Sequence, residues 1–517
     1  MVNSALSRFK VVPAVFALQS TLSAIQPTMV FASLKESVLN RAEPAKTAVL
    51  EEAYLDLDYS HSHYLQRSRA FTPSSRRTQR IHFFSTDFSQ AQFRSLTEPK
   101  RQALFDSYLG YTVIRPGSPQ TLGRTFIKPP ETIQGKKAFF PTKGSFLSNL
   151  SGLQLEIVAC PYLSQDQMVM ACATASLWMS SNSLCTKGAD IPSYSTSDIT
   201  RLALSLNRTY GPTIGGRGLR IEEMEHAFMA MGYDPILSEY PQQTNLLESA
   251  YLYLESGIPP VLTIFFPEQR IHGYRIQGLH AVTVVGHTMD TTLNRPLAII
   301  NNINTSASFM PNLILNDDQN GMYLCADVMP TAKKEKPFRA KLQINVNGQI
   351  LVGYCNSILV PLPPRVLLDG EAAQRAAASW LVFAQSNNWL KNDPLVLRTF
   401  LVRANRLKES FLIRANSGVS KRLSEVYRGL SMPRYVWVVE YGYYNNWVNS
   451  APANLTIEGE IIIDPTSPKT YKPDFLSMHV PGTVVAKITD KDDLVKTVSF
   501  NIPDDHPYTV LPIVERP

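Results

Sequence analysis

At 517 residues with 44% hydrophobic content, the chain holds enough apolar material for about two to four globular domains, and its net charge of +7 is too modest and too evenly spread to demand a nucleic-acid partner. Five cysteines, an odd number without CxxC or Cys/His ligand spacing, exclude a disulfide framework and a structural zinc site and indicate free thiols in a reducing compartment. No apolar run reaches the ~18 to 20 residues of a membrane span.

Residues 1–150 form the first region. Arg8 and Lys10 precede VVPAVFAL and imitate a signal peptide, but Gln19 and Ser20 cut the apolar part short, so this segment reads as the first strand of a folded domain in a cytoplasmic protein. Short β-like pieces at 81–84 and 111–115 alternate with helical and Pro-rich connections. The densest basic patch, Arg67, Arg69, Arg76, Arg77 and Arg80, lacks interleaved aromatics and reads as a solvated loop, so no nucleic-acid partner is expected. PPETIQGKKAFFPTKG, at 129–144, reads as an exposed connector.

The middle region, 151–365, opens with a strand at 153–159 and then the run QDQMVMACATASLW at 165–178. After Cys172 come small and then apolar residues without Gly or Pro, the pattern of a buried helix that begins near the cysteine. A thiol there sits against unsatisfied N–H groups at the positive end of the helix, which favours thiolate. Helices near 196–208, 220–231 and 244–256 follow, then strands at 260–266, 281–286, 297–300 and 313–316. GGRG at 215–218 lacks the GKS/T ending of a phosphate loop and reads as a loop bordering a cleft.

Within GLHAVTVVGHT, at 278–288, His280 leads a β-branched run that reads as an interior strand. An imidazole held there can take the thiol proton. His287 lies an odd number of positions further on, so the two rings of a continuous strand point to opposite faces, and His280 is preferred because it opens the apolar run. A third group should orient the imidazole. The turn in LILNDDQNGMYL offers Asp317, preferred as nearer the strand end, and Asp318; Asn301, Asn302 and Asn316 are further candidates.

The last region, 366–517, runs helices and then strands. An amphipathic helix spans 371–386, with Trp380 and Phe383 on its apolar side, and further helices are expected at 394–412 and 418–429. Strands follow at 435–441, 457–463, 483–488 and 495–501. The series Trp437, Tyr441, Tyr443, Tyr444 and Trp447 reads as core and cross-strand pairs rather than a stacking platform.

The order of a polar glutamine, a helix-opening cysteine, a histidine leading an Ala/Val strand and an NDD turn resembles the papain-like cysteine peptidase superfamily. Within it the chain is most similar to the bacterial branch related to peptidases that remove double-glycine leaders from bacteriocin precursors. The resemblance covers roughly residues 155–360 and departs from the usual pattern in that Ala173, not glycine, follows the cysteine. It implies an α+β fold with a papain-like core, helical in its N-terminal part and an antiparallel sheet in its C-terminal part, flanked by N-terminal and C-terminal α/β accessory regions. It implies Cys172 as nucleophile, His280 as general base, Asp317 as orienting acid and Gln165 as oxyanion donor, with Gln167 competing for the last role. The expected activity is cleavage of a peptide or isopeptide bond in a protein or peptide substrate, without metal or cofactor. A transglutaminase-like acyl transferase would use the same three groups, and a non-catalytic binding protein that keeps the fold is the alternative from another class.

Overall fold

A computed structural model of the chain describes residues 9–509 other than 21–24, 66–67, 69–74, 118–119, 166–171, 187–190, 207–217, 240–242, 271–272, 294–295, 331–339, 417–418, 452–453, 467–474, 490–493 and 504. The architecture is α+β. Strands Phe9–Pro13, Thr47–Tyr54, Thr78–Phe84, Tyr108–Arg115 and Thr121–Ile127 pair each with the next into a five-stranded antiparallel sheet. The expected first strand stops at Pro13 and continues as the helix Ala14–Ser20, since proline has no N–H to extend the ladder. Of the basic patch, Arg76 and Arg77 are exposed, whereas Arg80 is buried against Glu51 at 2.5 Å and over the Tyr54 ring at 4.0 Å. Arg67 and Arg69 lie outside the described residues.

The central sheet carries His280 and Asp317. Strands Val261–Arg270, Gly273–Met289, Asn312–Asp317, Gly321–Pro330, Ala340–Val346 and Gln349–Leu362 pair each with the next, and the last pairs back with the first. All six contacts are antiparallel, so the strands close into a barrel that needs no free edge. Asp234–Glu239 adds to Gln349–Leu362 from outside. Lys136–Phe139, itself paired with Thr132–Ile133, adds to the end of Gly273–Met289.

That last pairing corrects the reading of 129–144 as an exposed connector. Gly286 lets the strand in: a Cβ there would lie 2.3 Å from the Phe139 carbonyl oxygen. Phe139 and Phe140 are buried accordingly. Ser151 and Gly152 form the turn of a hairpin between Gly144–Leu150 and Leu153–Ala159, so the expected boundary between 150 and 151 falls inside it. Helices Cys172–Cys185, Thr196–Ala203, Ile221–Ala230 and Gln243–Glu255 precede the barrel, as the order of periodic segments anticipates; the GGRG segment falls almost wholly outside the described residues.

A third sheet of eight strands contains Leu395–Arg403, Tyr435–Tyr443, Gly459–Ile463, Phe475–Val480, Thr483–Thr489 and Val495–Asn501. Two expectations change here. The strand near 297–300, assigned to the middle region, joins this sheet as Ala298–Ile300, and its neighbour Ile303–Thr305 pairs in parallel with Leu395–Arg403. The helix expected at 394–412 is that strand followed by the helix Ala404–Asn416. Leu395 to Leu401 are all buried because elements cover both faces, and a strand buried on both sides loses its two-residue alternation. Trp437, Tyr441 and Trp447 are core residues whose polar atoms bond the carbonyls of Leu368, His479 and Thr456 at 2.9, 2.9 and 2.8 Å; Tyr443 and Tyr444 are half-buried. Among the described residues no helix is long and apolar enough to cross a membrane.

Candidate active site

Cys172 is the first residue of the helix Cys172–Cys185, whose residues Ala173 to Leu184 are all buried. Cys172, Ser176 and Ser180 are four apart and therefore share one face, and that face lies on the barrel. Ser176 Oγ donates to the Ala281 carbonyl at 2.9 Å, Ser180 Oγ donates to the Pro259 carbonyl at 2.7 Å, and Thr283 Oγ1 returns a bond to the Ser176 carbonyl at 3.1 Å. Small hydroxyl side chains let the helix approach the strand closely and satisfy its backbone groups. The same register brings the Ala281 N–H to Cys172 Sγ at 3.5 Å.

His280 precedes Ala281 in Gly273–Met289 and pairs with Ile264 on the neighbouring strand Val261–Arg270. Its Nε2 lies 2.9 Å from Asp317 Oδ1, and the Cys172 side chain adds to the ionisation of the ring. A carboxylate only accepts, so Nε2 carries the proton and Nδ1 is left for the thiol. Gln319 Nε2 is 3.4 Å from that Nδ1. His287 lies elsewhere: fully buried, its Nε2 faces Glu255 Oε1 at 3.3 Å.

Asp317 ends the strand Asn312–Asp317 and is fully buried. Its Oδ1 also accepts from the Gln319 N–H at 2.9 Å and the Asn320 N–H at 3.1 Å, and its Oδ2 accepts from Asn320 Nδ2 at 2.8 Å. Four donors compensate the desolvation of the charge. Asp318, the other candidate, is 3.7 Å from the same Nε2. Asn316 serves the framework, donating to the Pro161 carbonyl at 3.0 Å and accepting from the Tyr323 N–H at 2.9 Å. Asn301 and Asn302 belong to the turn joining the strands at 298–305 in the third sheet.

Electrostatics follow from these contacts. Burial alone would drive the proton off His280, but the charge and hydrogen bond of Asp317, the bond with Cys172 and the charge of Asp318 hold its ionisation well above the usual imidazole range. Burial would likewise raise Asp317, but His280, Asn320 and the Gln319 N–H hold it below the usual carboxylate range. Among the described residues His280, Asp317 and Asp318 are also a group whose donor atoms lie within 4.8 Å of one another, close enough to hold a metal ion. Asp317 has its oxygens occupied by four donors, which a cation would have to displace.

The N-terminal sheet and its helices reach this site, which sequence reasoning missed. Ser33, on the helix Thr28–Leu39, donates to the Met322 carbonyl at 2.9 Å and accepts from the Met322 N–H at 2.8 Å. Gly321, with φ of 128°, leaves room for it: a Cβ there would sit 2.3 Å from Ser33 Cβ. Arg115 donates to the Ser164 carbonyl, immediately before Gln165. Gln165 is half-buried, and Gln167 lies outside the described residues. The DDQN segment marked a turn, but nothing in it announced that Gln319 would reach the ring or that a serine 289 residues away would clamp it. No protein-family model and no curated protein matches this sequence.

Proposed function

We propose that the chain is a papain-like thiol hydrolase that cleaves a peptide or isopeptide bond, with Cys172 as nucleophile, His280 as base and then acid, and Asp317 as the group that orients the ring. The observation that carries this reading is a buried, four-donor carboxylate 2.9 Å behind the His280 imidazole, with Cys172 Sγ on the N–H of the next residue, Ala281, at 3.5 Å. His280 takes the thiol proton through Nδ1, and the sulfur attacks the carbonyl carbon. The oxyanion would be met by the Cys172 N–H and the Gln165 amide, one such donor contributing on the order of 3 kcal/mol. His280 then protonates the leaving amine, and water, deprotonated by the same ring, hydrolyses the thioester. The Ala281 N–H lies 3.5 Å from Sγ and holds the sulfur beside the His280 strand.

Iodoacetamide followed by peptide mapping tests this. Cys160, Cys325 and Cys355 are buried, so Cys185 is the internal reference. Cys172 should react at least about tenfold faster at neutral pH, and His280→Ala should remove the difference. Equal rates at Cys172 and Cys185 would sink the hydrolase reading.

A further inference from the structure

The turn that supplies Asp317 also delivers a second carboxyl group. Asp318 is completely buried, and among the described residues neither of its oxygens has a hydrogen-bond partner. It lies 3.7 Å from the same Nε2 that Asp317 holds. A buried carboxyl without donors is costly as an anion unless a cation faces it. The groups that face it are His280 from the barrel strand, Asp317 from its own turn, Arg115 from the end of Tyr108–Arg115, and Tyr162. Arg115 is always charged and is committed to Thr121 and to the Ser164 backbone. Of the two cations, His280 is the one whose Nε2 is shared with Asp317.

We infer that Asp318 is a positioning residue for the imidazole: neutral in acid, it becomes a second carboxylate behind the ring as the pH rises and prolongs the life of the imidazolium. The step is a proton lost from Asp318 to solvent while His280 keeps its own. Burial pushes the Asp318 carboxyl up and the charge of Asp317 adds to that, while His280, its own backbone N–H and Arg115 pull it back, leaving it at about 7. With Asp317 already saturated by donors, the second carboxylate acts through charge alone. The consequence is an ion pair with Cys172 that survives further into the alkaline range than one carboxylate would allow.

The inference rests on the thiol-hydrolase reading, and one experiment separates the two. Cys172 alkylation by iodoacetamide is followed from acid to alkaline pH in the full-length protein and in D318N and D318L, each peptide being resolved by mass. In both variants the alkaline limb, where His280 loses its proton, should move down by about one pH unit or more while the acid limb stays in place. A role in packing alone would leave both limbs of the isosteric D318N where they are. In the wild-type protein, the ¹⁵N-labelled His280 ring, assigned through H280Q, should also show a shift near neutral pH without losing a proton, a readout that needs no variant at position 318. An unmoved alkaline limb in the folded variants, or a His280 ring silent near neutrality, overturns the inference and leaves the hydrolase reading standing. A wild-type Cys172 no faster than Cys185 removes the hydrolase reading itself.

Discussion

Asp317 is held by His280, two backbone N–H groups and the Asn320 amide, so it remains charged although fully buried. This is the arrangement that keeps an imidazole in one tautomer and one orientation. Asp317→Asn removes the charge and offers the ring an amide instead. Without the carboxylate the His280 imidazolium is weaker, the ion pair with sulfur loosens, and Cys172 alkylation at pH 7 should fall at least about tenfold, measured by peptide mapping. An unchanged rate would mean that Asp317 is only a helper of the turn. Cys172, His280 and Asp317 could be picked out because each residue type stands at the right place in a locally legible element. Gln319 could not, since its reach to Nδ1 depends on a turn conformation that DDQN shares with many loops.

At the scale of elements, the site rests on two close approaches. The helix meets the barrel through Cys172, Ser176 and Ser180, and the turn that follows Asp317 meets the N-terminal helix through Gly321 and Ser33. Gly321→Ala should cost at least about 2 kcal/mol in urea unfolding, since φ of 128° strains any Cβ and the added carbon meets Ser33. In a Ser33→Gly background the collision disappears and only the backbone strain is left. The two substitutions should therefore be less than additive; strict additivity would show that the helix yields freely. Ser33→Ala alone leaves the Met322 backbone groups unpaired and should cost about 1 to 3 kcal/mol. The apolar run after Cys172 announced the helix. Its docking face carries hydroxyls rather than a greasy stripe, so sequence periodicity did not show which side turns inward.

Across the whole molecule, a chain of buried polar and charged groups ties the barrel to the third sheet. His287 Nε2 faces Glu255 Oε1 at 3.3 Å, Arg398 Nε reaches Glu255 Oε2 at 2.8 Å, and Arg398 Nη1 and Arg414 Nη2 hold the two oxygens of Glu440 at 3.3 and 2.8 Å. Glu440→Gln strands the buried Arg414 guanidinium and leaves Arg398 with Glu255 alone, and should cost roughly 3 kcal/mol or more in urea denaturation; a loss under about 1 kcal/mol would mean the bridge is solvated.

Two other buried histidines set opposite pH limits. His82 is driven by burial to about 4, with Arg80 lowering it further and Glu51 opposing. The unfolded chain therefore takes up a proton first, and stability should fall as the pH drops from about 6.5 to about 4. His479, though burial would lower it, is raised to about 9 by Glu460 and Asp505. Its contribution is complete below about 6.5 and is lost as the pH rises through about 9. His82→Gln should flatten the acid slope and His479→Gln the alkaline one in urea titrations; slopes unchanged by the variants would refute both assignments.

Local chemistry written along the chain was enough to determine the α+β class, most helices and strands, and three of the groups that meet at the site, because amphipathic periods, β-branched runs and helix-opening residues act over a few neighbours. Tertiary structure decided the rest. It closed six strands into a barrel, turned Lys136–Phe139 from connector into strand, made Leu395–Arg403 an interior strand, and brought Ser33 and Arg115 from the first region to the turn and the loop flanking Cys172. Each of these depends on which surfaces bury one another, and burial between segments hundreds of residues apart leaves no periodic trace in either one.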